Sequence, residues 1–187
     1  MEITKTFYAK TPKEWRKWLL KNHAKENEIW LIYYKKHSGK PRVEYGDAVS
    51  EALCFGWIDS TVKKFNEESF VQRFTPRKTT NNWSELNKEK ARIMIKEGKM
   101  TPAGLAKIHE SVKIHKDEKE KFKIPKNILK ILKTDEEVWD NFRKFPETYK
   151  RIRVSWITAT KRPNVSRQRL DYFLKMTKKN KKFGMLQ

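Results

Sequence analysis

The stretch from Trp57 to Thr75, WIDSTVKKFNEESFVQRFT, decides the fold of this 187-residue chain. Two runs rich in β-branched and aromatic residues flank the polar triplet Asn66-Glu67-Glu68, which has the composition of a turn. This pattern predicts an antiparallel hairpin, with one strand from Trp57 to about Phe65 and a second from Ser69 to about Thr75. Pro76 ends the second strand because it has no backbone donor for the sheet.

Segments upstream of the hairpin predict two helices and a third strand. Thr11-Pro12-Lys13-Glu14 combines a capping threonine with a proline at the first helical position, and so predicts the first helix. Ile29 to Tyr34 is apolar on both alternating faces, as expected of a strand covered on both sides. The spacing of apolar residues changes from Asp47 onward and predicts a helix that ends near Gly56, a residue suited to the left-handed conformation.

The segments directly after the hairpin have helical spacing. One helix is predicted from Ser84 to Gly98. Another begins at Thr101-Pro102. Its predicted buried face carries Leu105, Ile108 and Val112.

The C-terminal part of the chain has only helical patterns. Thr134 to Glu137 is a capping box that begins one helix. Tyr149, Ile152 and Trp156 lie three to four residues apart and predict the next helix. A last helix follows Arg162-Pro163-Asn164.

Together these segments predict an α+β fold, in which an N-terminal helix-flanked small β-sheet domain precedes an all-helical C-terminal region. The predicted domains are residues 1–115 and residues 116–187. The boundary falls in the mostly charged segment from Lys113 to Lys123, which reads as a linker or an exposed helix end.

The chain is strongly basic, with 44 lysines and arginines against 23 acidic residues and a net charge of +21. Residues 113–187 alone carry 22 basic and 9 acidic residues. Such a field favours polyanions, such as nucleic acid or an anionic envelope component, without reading any sequence. The alternative is that the lysine-rich surface mainly keeps the protein in solution.

The single cysteine, Cys54, excludes an internal disulfide framework. One thiol and four scattered histidines form no recognisable metal pattern, so we expect neither a metal nor a cofactor. Because Cys54 lies near the C-terminal end of a predicted helix, the pKa of its thiol is expected to be raised, which disfavours a nucleophile. We expect no catalytic residues.

No apolar run approaches the roughly 20 residues that span a bilayer. The first residues, Met1 to Lys5, lack the apolar core of a signal peptide. A cytoplasmic location is therefore expected.

Four motifs follow one another in the N-terminal half, and two lie in the C-terminal half. The N-terminal motifs are Glu51-Ala52-Leu53-Cys54-Phe55-Gly56-Trp57-Ile58-Asp59-Ser60, Gln72-Arg73-Phe74-Thr75-Pro76-Arg77, Asn82-Trp83-Ser84 through Asn87, and Glu97-Gly98-Lys99-Met100-Thr101-Pro102-Ala103-Gly104. The C-terminal motifs are Tyr149-Lys150-Arg151 with Trp156-Ile157 and Ala159, and Lys161-Arg162-Pro163 with Arg167 and Arg169. In these motifs the chain resembles the YdeI/OmpD-associated family over most of its length.

The resemblance implies a compact N-terminal α/β domain and a helical C-terminal region, without a known cofactor. It also implies an association with bacteriocin protection and envelope stress, and it supplies no catalytic residues. Where members of the family often have Thr-Arg, this chain has Val165-Ser166-Arg167, so the cap of the last helix is expected to move to the serine.

Asp59 follows Trp57 by two residues, so both side chains point to the same face of the predicted strand. A carboxylate next to a tryptophan is partly desolvated and needs a partner, for which Arg73 or Arg77 on the neighbouring strand is the expected choice. Asp59 is therefore interpreted as part of a structural ion pair, or as a carboxylate that binds a ligand or handles a proton.

A second candidate is an anion site between the hairpin and the helix that starts near Ser84. Arg73, Arg77 and Lys78 supply positive charge there, and a helix N-terminus adds free N–H groups. The alternative is that Ser84 only caps the helix while the arginines pair with acidic residues. Candidate ligand-binding residues are Asp59, Arg73, Arg77, Lys78 and Ser84.

Two functions remain open from the sequence. The favoured one is a non-enzymatic, stress-associated protein that binds an anionic partner through a basic surface. The alternative is a small-anion ligand-binding or enzymatic domain with its site around Asp59, Arg73, Arg77 and Ser84. Candidate contacts to a polyanion are Arg151, Arg153, Lys161, Arg162, Arg167 and Arg169.

Overall fold

The computed structural model describes residues 2–81, 83–113 and 122–184. The chain forms two compact units, one of residues 1–83 and 87–114 and one of residues 84–86 and 115–187. Each unit has its own hydrophobic core. Most of the charged segment in which the sequence predicts the domain boundary lies outside the described residues, so the predicted domains 1–115 and 116–187 stay a prediction.

The N-terminal unit is built on one four-stranded sheet. Its strands are β1 (Thr6–Tyr8), β2 (Ile29–Tyr34), β3 (Trp57–Lys64) and β4 (Ser69–Pro76). In the sheet they follow the order β1-β2-β4-β3, with β1 and β2 parallel and the other pairs antiparallel. The predicted hairpin is therefore confirmed, and β1 is an additional strand that the sequence did not predict.

The hairpin closes at its turn through Asn66. The backbone N–H groups of Phe65 and Asn66 both donate to the carbonyl of Ser69, and the Asn66 side chain accepts from Glu68 N and Ser69 Oγ. The register of the two strands shifts between Asp59 and Val62, where β3 bulges. Asp59 lies at the start of this bulge.

Helices cover one face of the sheet. They are α1 (Pro12–Asn22), α2 (Tyr45–Cys54), α3 (Glu85–Lys96), α4 (Pro102–Leu105) and α5 (Glu110–Lys113). Thr11 caps α1 as predicted, since its hydroxyl accepts from Glu14 N. Trp15 of α1 is fully buried and donates from Nε1 to the carbonyl of Ala48 in α2 at 3.0 Å, which joins the two helices over the core.

The end of α2 is a point of close packing. Gly56 has a φ of +72°, as the sequence predicts for the residue that stops this helix. Thr101 donates to the carbonyl of Cys54 from both its backbone N (3.0 Å) and its hydroxyl (2.7 Å). A Cβ on Gly104 would lie 2.2 Å from the same carbonyl oxygen, so only glycine fits there.

This packing interrupts the helix that the sequence predicts from Thr101 through Val112. The i→i+3 hydrogen bonds of Lys107 N and Ile108 N make a turn between α4 and α5. Leu105 is 45% exposed, whereas Ile108 and Val112 are buried. The prediction of one continuous buried face was therefore wrong, because Thr101 and Gly104 hold α4 against the end of α2.

The described part of the C-terminal unit beyond residue 122 is helical. Its helices are α6 (Lys126–Leu132), α7 (Glu136–Lys144), α8 (Glu147–Thr158) and α9 (Pro163–Lys178). Asp135 caps α7 by accepting from Val138 N at 3.2 Å. Tyr149 and Phe173 are buried where α8 and α9 pack together. The predicted α+β fold class is confirmed.

The predicted cap of the last helix was wrong. α9 begins at Pro163, and Ser166 lies inside its first turn, where the hydroxyl donates to the carbonyl of Ile157 at 3.0 Å. Proline at the first helical position starts this helix without a capping side chain. Among the described helices, none is long and apolar enough to cross a membrane.

Candidate functional site

Asp59 lies on the helix-covered face of the sheet, in register with the buried Phe74 of β4. Its Oδ2 atom accepts a hydrogen bond from the Tyr45 hydroxyl at 2.7 Å and another from Gln72 Nε2 at 3.4 Å. Tyr45 is the first residue of α2, so this contact joins a helix start to the edge strand. The hydrogen-bond partners of Asp59 are neutral side chains.

The prediction that Arg73 is the partner of Asp59 was therefore wrong. Arg73 is adjacent to Phe74 in β4, and neighbouring strand residues point to opposite faces. Arg73 pairs with Glu28 on that other face, donating from Nε at 2.7 Å and also from Nη2. Two hydrogen bonds lower the pKa of Glu28, and the one from Thr4 has a larger effect than the one from Arg73.

Arg77 directly follows the last residue of β4 and is 7% exposed. Its guanidinium carbon lies 4.3 Å from the centre of the Trp83 ring, and its Nη2 donates to the carbonyl of Asn81 at 3.2 Å. Burial lowers the pKa of Arg77, and the negative charge of Asp59 opposes that shift. Arg77 is therefore coupled to Asp59 electrostatically, without a hydrogen bond between them.

The five predicted ligand-binding residues do not form one set. Asp59 and Arg77 influence one another, but Arg73 faces the other side of the sheet. Lys78 is exposed in the segment after β4. Ser84, directly before α3, is exposed and belongs to the other compact unit.

Three residues near Asp59 were missed by the sequence reasoning. Gln72 lies between Phe70 and Phe74 on the covered face and is 3% exposed, so a polar residue at an apolar strand position was the signal. Tyr45 carries no such signal, because only the tertiary fold brings α2 to β3. Tyr33 of β2 is 1% exposed and its hydroxyl has no hydrogen-bond partner.

Burial and nearby acidic groups act on both tyrosines. Burial is the main cause that raises the pKa of Tyr33, and the proximity of Tyr45 and Asp59 adds to it. Burial, followed by the hydrogen bond to Asp59, raises the pKa of Tyr45. Both phenols are therefore neutral at physiological pH.

A buried cation joins α2 to α3. Lys90 is 8% exposed, and its Nζ donates to the Gly46 carbonyl at 2.7 Å and to Ser50 Oγ at 3.0 Å. Burial lowers the pKa of Lys90, while the charge of Asp47 opposes this change. The ammonium group of Lys90 thus holds the first turn of α2, which carries Tyr45.

Cys54 is fully buried at the end of α2, as predicted. Burial raises the pKa of its thiol to about 11. Within the described residues, no group of three histidine, cysteine, aspartate or glutamate side chains could hold a metal ion.

The C-terminal unit divides its arginines between structure and surface. Arg153 is 5% exposed, with its guanidinium carbon 4.8 Å from the Phe183 ring and its Nη2 donating to the Gly184 carbonyl at 2.9 Å. Arg169 donates to the Trp156 carbonyl at 2.6 Å and stacks on that ring. These two predicted polyanion contacts therefore make structural contacts within the C-terminal unit.

The remaining predicted contacts to a polyanion differ in their exposure and in whether they form an ion pair. Arg151 is partly buried and already forms an ion pair. Arg167 is exposed and pairs with Asp171 one turn along α9. Lys161 and Arg162 are exposed beside the start of α9 and form no ion pair with the described residues.

Two family models match the chain. Residues 7–107 match the model described as Domain of unknown function (DUF8412), and this segment contains the four N-terminal motifs. Residues 121–180 match the model described as Bacteriocin-protection, YdeI or OmpD-Associated, which confirms the predicted family resemblance for that segment. No curated protein and no solved structure matches the chain. Because the first match spans more than half of the 187 residues, the chain belongs to the DUF8412 family, and a YdeI/OmpD-associated segment follows that domain.

Proposed function

We propose that this protein is a non-enzymatic, stress-associated protein that binds a phosphate-bearing polyanion through its C-terminal unit. The proposal rests on one observation, a set of exposed cationic side chains beside and along α9 that form no ion pair with any described residue. We call this set the α9 cationic surface. It consists of Lys161, Arg162, Lys175, Lys179, Lys181 and Lys182.

The spacing of these cations suits an extended anionic partner. The 16 residues of α9 span about 24 Å at 1.5 Å per residue. Lys161 and Arg162 lie at one end of that length, and Lys179 to Lys182 lie at the other. Lys175 and Lys179 are four residues apart and so share one side of the helix. Duplex DNA carries about one charge per 1.7 Å of axis, so several phosphates lie within this span.

The local charge balance is strongly one-sided. Between Lys161 and Gly184 the chain has nine basic residues and a single acidic residue, Asp171. Asp171 is already paired with Arg167, and Lys178 is paired with Asp135. The α9 cationic surface is what remains of these nine residues after the paired Arg167 and Lys178 and the structural Arg169 are set aside.

Binding of this kind is weak, independent of sequence and steeply dependent on salt. Lysines supply point charges, and counterion release from the polyanion supplies the free energy. Phosphate contacts position a protein but carry no sequence information. The family resemblance to proteins associated with bacteriocin protection fits an indirect protective role through such a partner.

The test is a titration of labelled duplex DNA at several salt concentrations. A variant with Lys175, Lys179, Lys181 and Lys182 all changed to glutamine is compared with the intact protein. The matched control changes four exposed lysines of the N-terminal unit, Lys13, Lys17, Lys21 and Lys25, to glutamine. Both variants lose the same net charge, so a difference between them reports the location of the contact.

We expect the α9 variant to reduce the slope of log affinity against log salt by about 3.6, since each of the four lost contacts contributes about 0.9. The control variant is expected to change that slope by less than about 1. Equal losses in the two variants, or no binding at low salt, would reject the proposal. A parallel arm with vesicles containing anionic lipid tests whether an anionic envelope component binds instead.

We also propose a cytoplasmic location, where nucleic acid is present and a lone buried thiol stays reduced. Cell fractionation with antibody detection tests this directly. Recovery of the protein in an extracytoplasmic fraction would overturn it.

A further inference from the structure

An exposed aromatic ring lies beside the lysines of the α9 cationic surface. Tyr172 is 46% exposed, more than any other large apolar side chain among the described residues of the C-terminal unit. It precedes Lys175 by three residues and Lys179 by seven, so the three side chains project from the same side of the helix. The two lysines lie about 4.5 Å and about 10.5 Å further along the helix axis. A ring and two ammonium groups therefore face solvent together.

The Tyr172 ring is held in place by the segment that follows α9. Phe183 makes a T-shaped contact with it, with the ring centroids 4.8 Å apart and the planes at 79°. Phe183 is itself packed against the Trp156 ring at 5.9 Å and against the guanidinium of Arg153 at 4.8 Å. A side chain that is ordered before a ligand arrives loses less conformational entropy when the ligand binds. The Tyr172 ring is thus preorganised.

The backbone at the end of α9 brings Phe183 back to this position. Asn180 has a φ of +51°, the left-handed conformation in which many helices end. The N–H of Asn180 donates to the Thr177 carbonyl at 2.8 Å, and the N–H of Lys181 donates to the Met176 carbonyl at 2.9 Å. These two hydrogen bonds form a Schellman motif, which reverses the chain. The contact between the two rings therefore follows from a defined turn.

Two tryptophans of the C-terminal unit are already covered by cations of the chain itself. The guanidinium of Arg169 lies 4.9 Å from the centre of the Trp156 ring, and the ammonium group of Lys133 lies 5.1 Å from that of Trp139. Neither tryptophan is as exposed as Tyr172. Tyr172 is therefore the aromatic side chain of this unit that is best placed to contact a ligand.

The charge around Tyr172 favours an anionic ligand. Its acidic neighbour Asp171 is rotated by about 100° around the helix and forms an ion pair with Arg167 at 3.1 Å. The unpaired charges on the side of the ring are those of Lys175 and Lys179. A ligand that matches both features carries negative charge and also a flat ring that can stack on the phenol.

We propose that the partner of the α9 cationic surface is single-stranded nucleic acid, and that Tyr172 stacks on one of its bases. Proteins that bind single strands without reading sequence combine basic side chains for the backbone with aromatic rings for the bases. In a duplex each base is already stacked between its neighbours, and an anionic lipid has no base. The inference rests on the proposed function, because it names the partner of the same surface.

Three nucleic acid probes separate the contribution of the bases from that of the phosphates. They are an oligothymidylate of about 12 nucleotides, an abasic strand of the same length, and a duplex of that length; this lies within the site sizes of single-strand binders. The first two probes carry the same backbone charge. We expect the intact protein to bind oligothymidylate at least about fivefold more tightly than the abasic strand at equal salt, the low end of what one stacked base contributes.

Three variants locate the stacking residue. Tyr172→Leu removes the aromatic ring, and we expect its affinities for oligothymidylate and for the abasic strand to agree within about twofold, with duplex binding unchanged. Tyr172→Phe keeps the ring and should keep the preference for oligothymidylate. The matched control is Phe65→Leu, which removes a 43% exposed ring directly after Lys63 and Lys64 in the N-terminal unit. It should bind all three probes as the intact protein does.

The proposal is overturned if the intact protein binds the abasic strand as tightly as oligothymidylate. It is also overturned if Tyr172→Leu lowers the affinity for all three probes by the same factor. In either case, duplex binding that is lost in the α9 lysine-to-glutamine variant still supports the proposed function. A lack of binding to every probe at low salt rejects both. The comparison with the abasic strand uses the intact protein, so it decides the matter even if a variant is unstable.

Discussion

The hydroxyl of Tyr45 lies 2.7 Å from Oδ2 of Asp59, and this contact ties the first residue of α2 to the edge strand β3. A phenol and a carboxylate at this distance form a charge-assisted hydrogen bond without a cation. Because the donor is neutral, removing it leaves the Asp59 charge unchanged. A conservative substitution of Tyr45 can therefore remove this hydrogen bond without changing the charge of the protein.

We expect Tyr45→Phe to lower the free energy of unfolding by about 1 kcal/mol, since a hydrogen bond to a charged group contributes about 1.5–3 kcal/mol and Tyr45 is half exposed. Asp59→Asn should cost about 1–2 kcal/mol for the same reason. Urea unfolding of both single variants and the double variant measures the coupling. A loss of more than about 3 kcal/mol for Asp59→Asn is what a buried ion pair predicts, and would contradict this assignment.

The ion pair between Arg16 and Glu51 should contribute measurably to stability. Arg16 Nη1 lies 2.7 Å from Glu51 Oε2, and its Nη2 donates to the Lys99 carbonyl at 2.8 Å. The Glu51 side chain is 10% exposed. We expect Glu51→Gln to lower the free energy of unfolding by about 2 kcal/mol, because the arginine is left without its partner.

The matched control is the exposed pair of Lys40 and Glu68, whose side chains are 49% and 53% exposed. Glu68→Gln should change stability by less than about 0.5 kcal/mol. Equal effects of the two glutamine variants would mean that burial does not distinguish these pairs.

The thiol of Cys54 should be unreactive in the folded protein. Burial raises its pKa to about 11, so almost none of it is thiolate near pH 7. We expect a disulfide reagent to modify Cys54 only after denaturant is added. Rapid modification of the native protein at neutral pH would contradict the buried position.

The same shift predicts a pH effect on stability. A thiol whose pKa is higher in the folded state than its unfolded value of about 8.5 stabilises the fold below pH 8.5, and this contribution is lost as pH rises toward about 11. The stability advantage of the intact protein over Cys54→Ala should therefore fall by about 1–2 kcal/mol between pH 7.5 and pH 10. Cys54→Ala is also the control, because the pH dependence of its free energy of unfolding comes from all the other titratable groups.

Limited proteolysis tests the predicted domains. The sequence between Lys113 and Lys123 is rich in lysine and poor in bulky apolar residues, which favours trypsin cleavage there. We expect the first products to be fragments of about residues 1–115 and 116–187. First cleavage inside the hairpin between Trp57 and Thr75 would overturn this boundary.

The sequence predicts those parts of the fold that depend on local periodicity. The hairpin, α2 and Gly56 follow from alternation, helical spacing and a turn, and the structure confirms them. β1 could not be predicted, because three residues become a strand only by pairing with β2. Its parallel partner sets it in place through contacts such as Phe7 beside Leu31.

The site was predicted less completely for a related reason. Asp59 could be singled out from its position after Trp57, but its partner depends on which residue of β4 lies opposite. The register places Phe74 there and so turns Arg73 to the other face. Tyr45 belongs to α2, and no spacing of residues in the sequence indicates that the start of α2 lies against β3.

The bulge between Asp59 and Val62 also affects how molecules of this protein behave together in concentrated solution. β3 is an outer strand of the sheet, and such strands can recruit a strand from another copy and start aggregation. Here the bulge breaks the regular run of hydrogen-bonding groups, and Lys63 and Lys64 follow directly after it. A kinked, positively charged border makes a poor template for sheet growth. The bulge beside Asp59 thus also disfavours aggregation of the protein through its β3 edge.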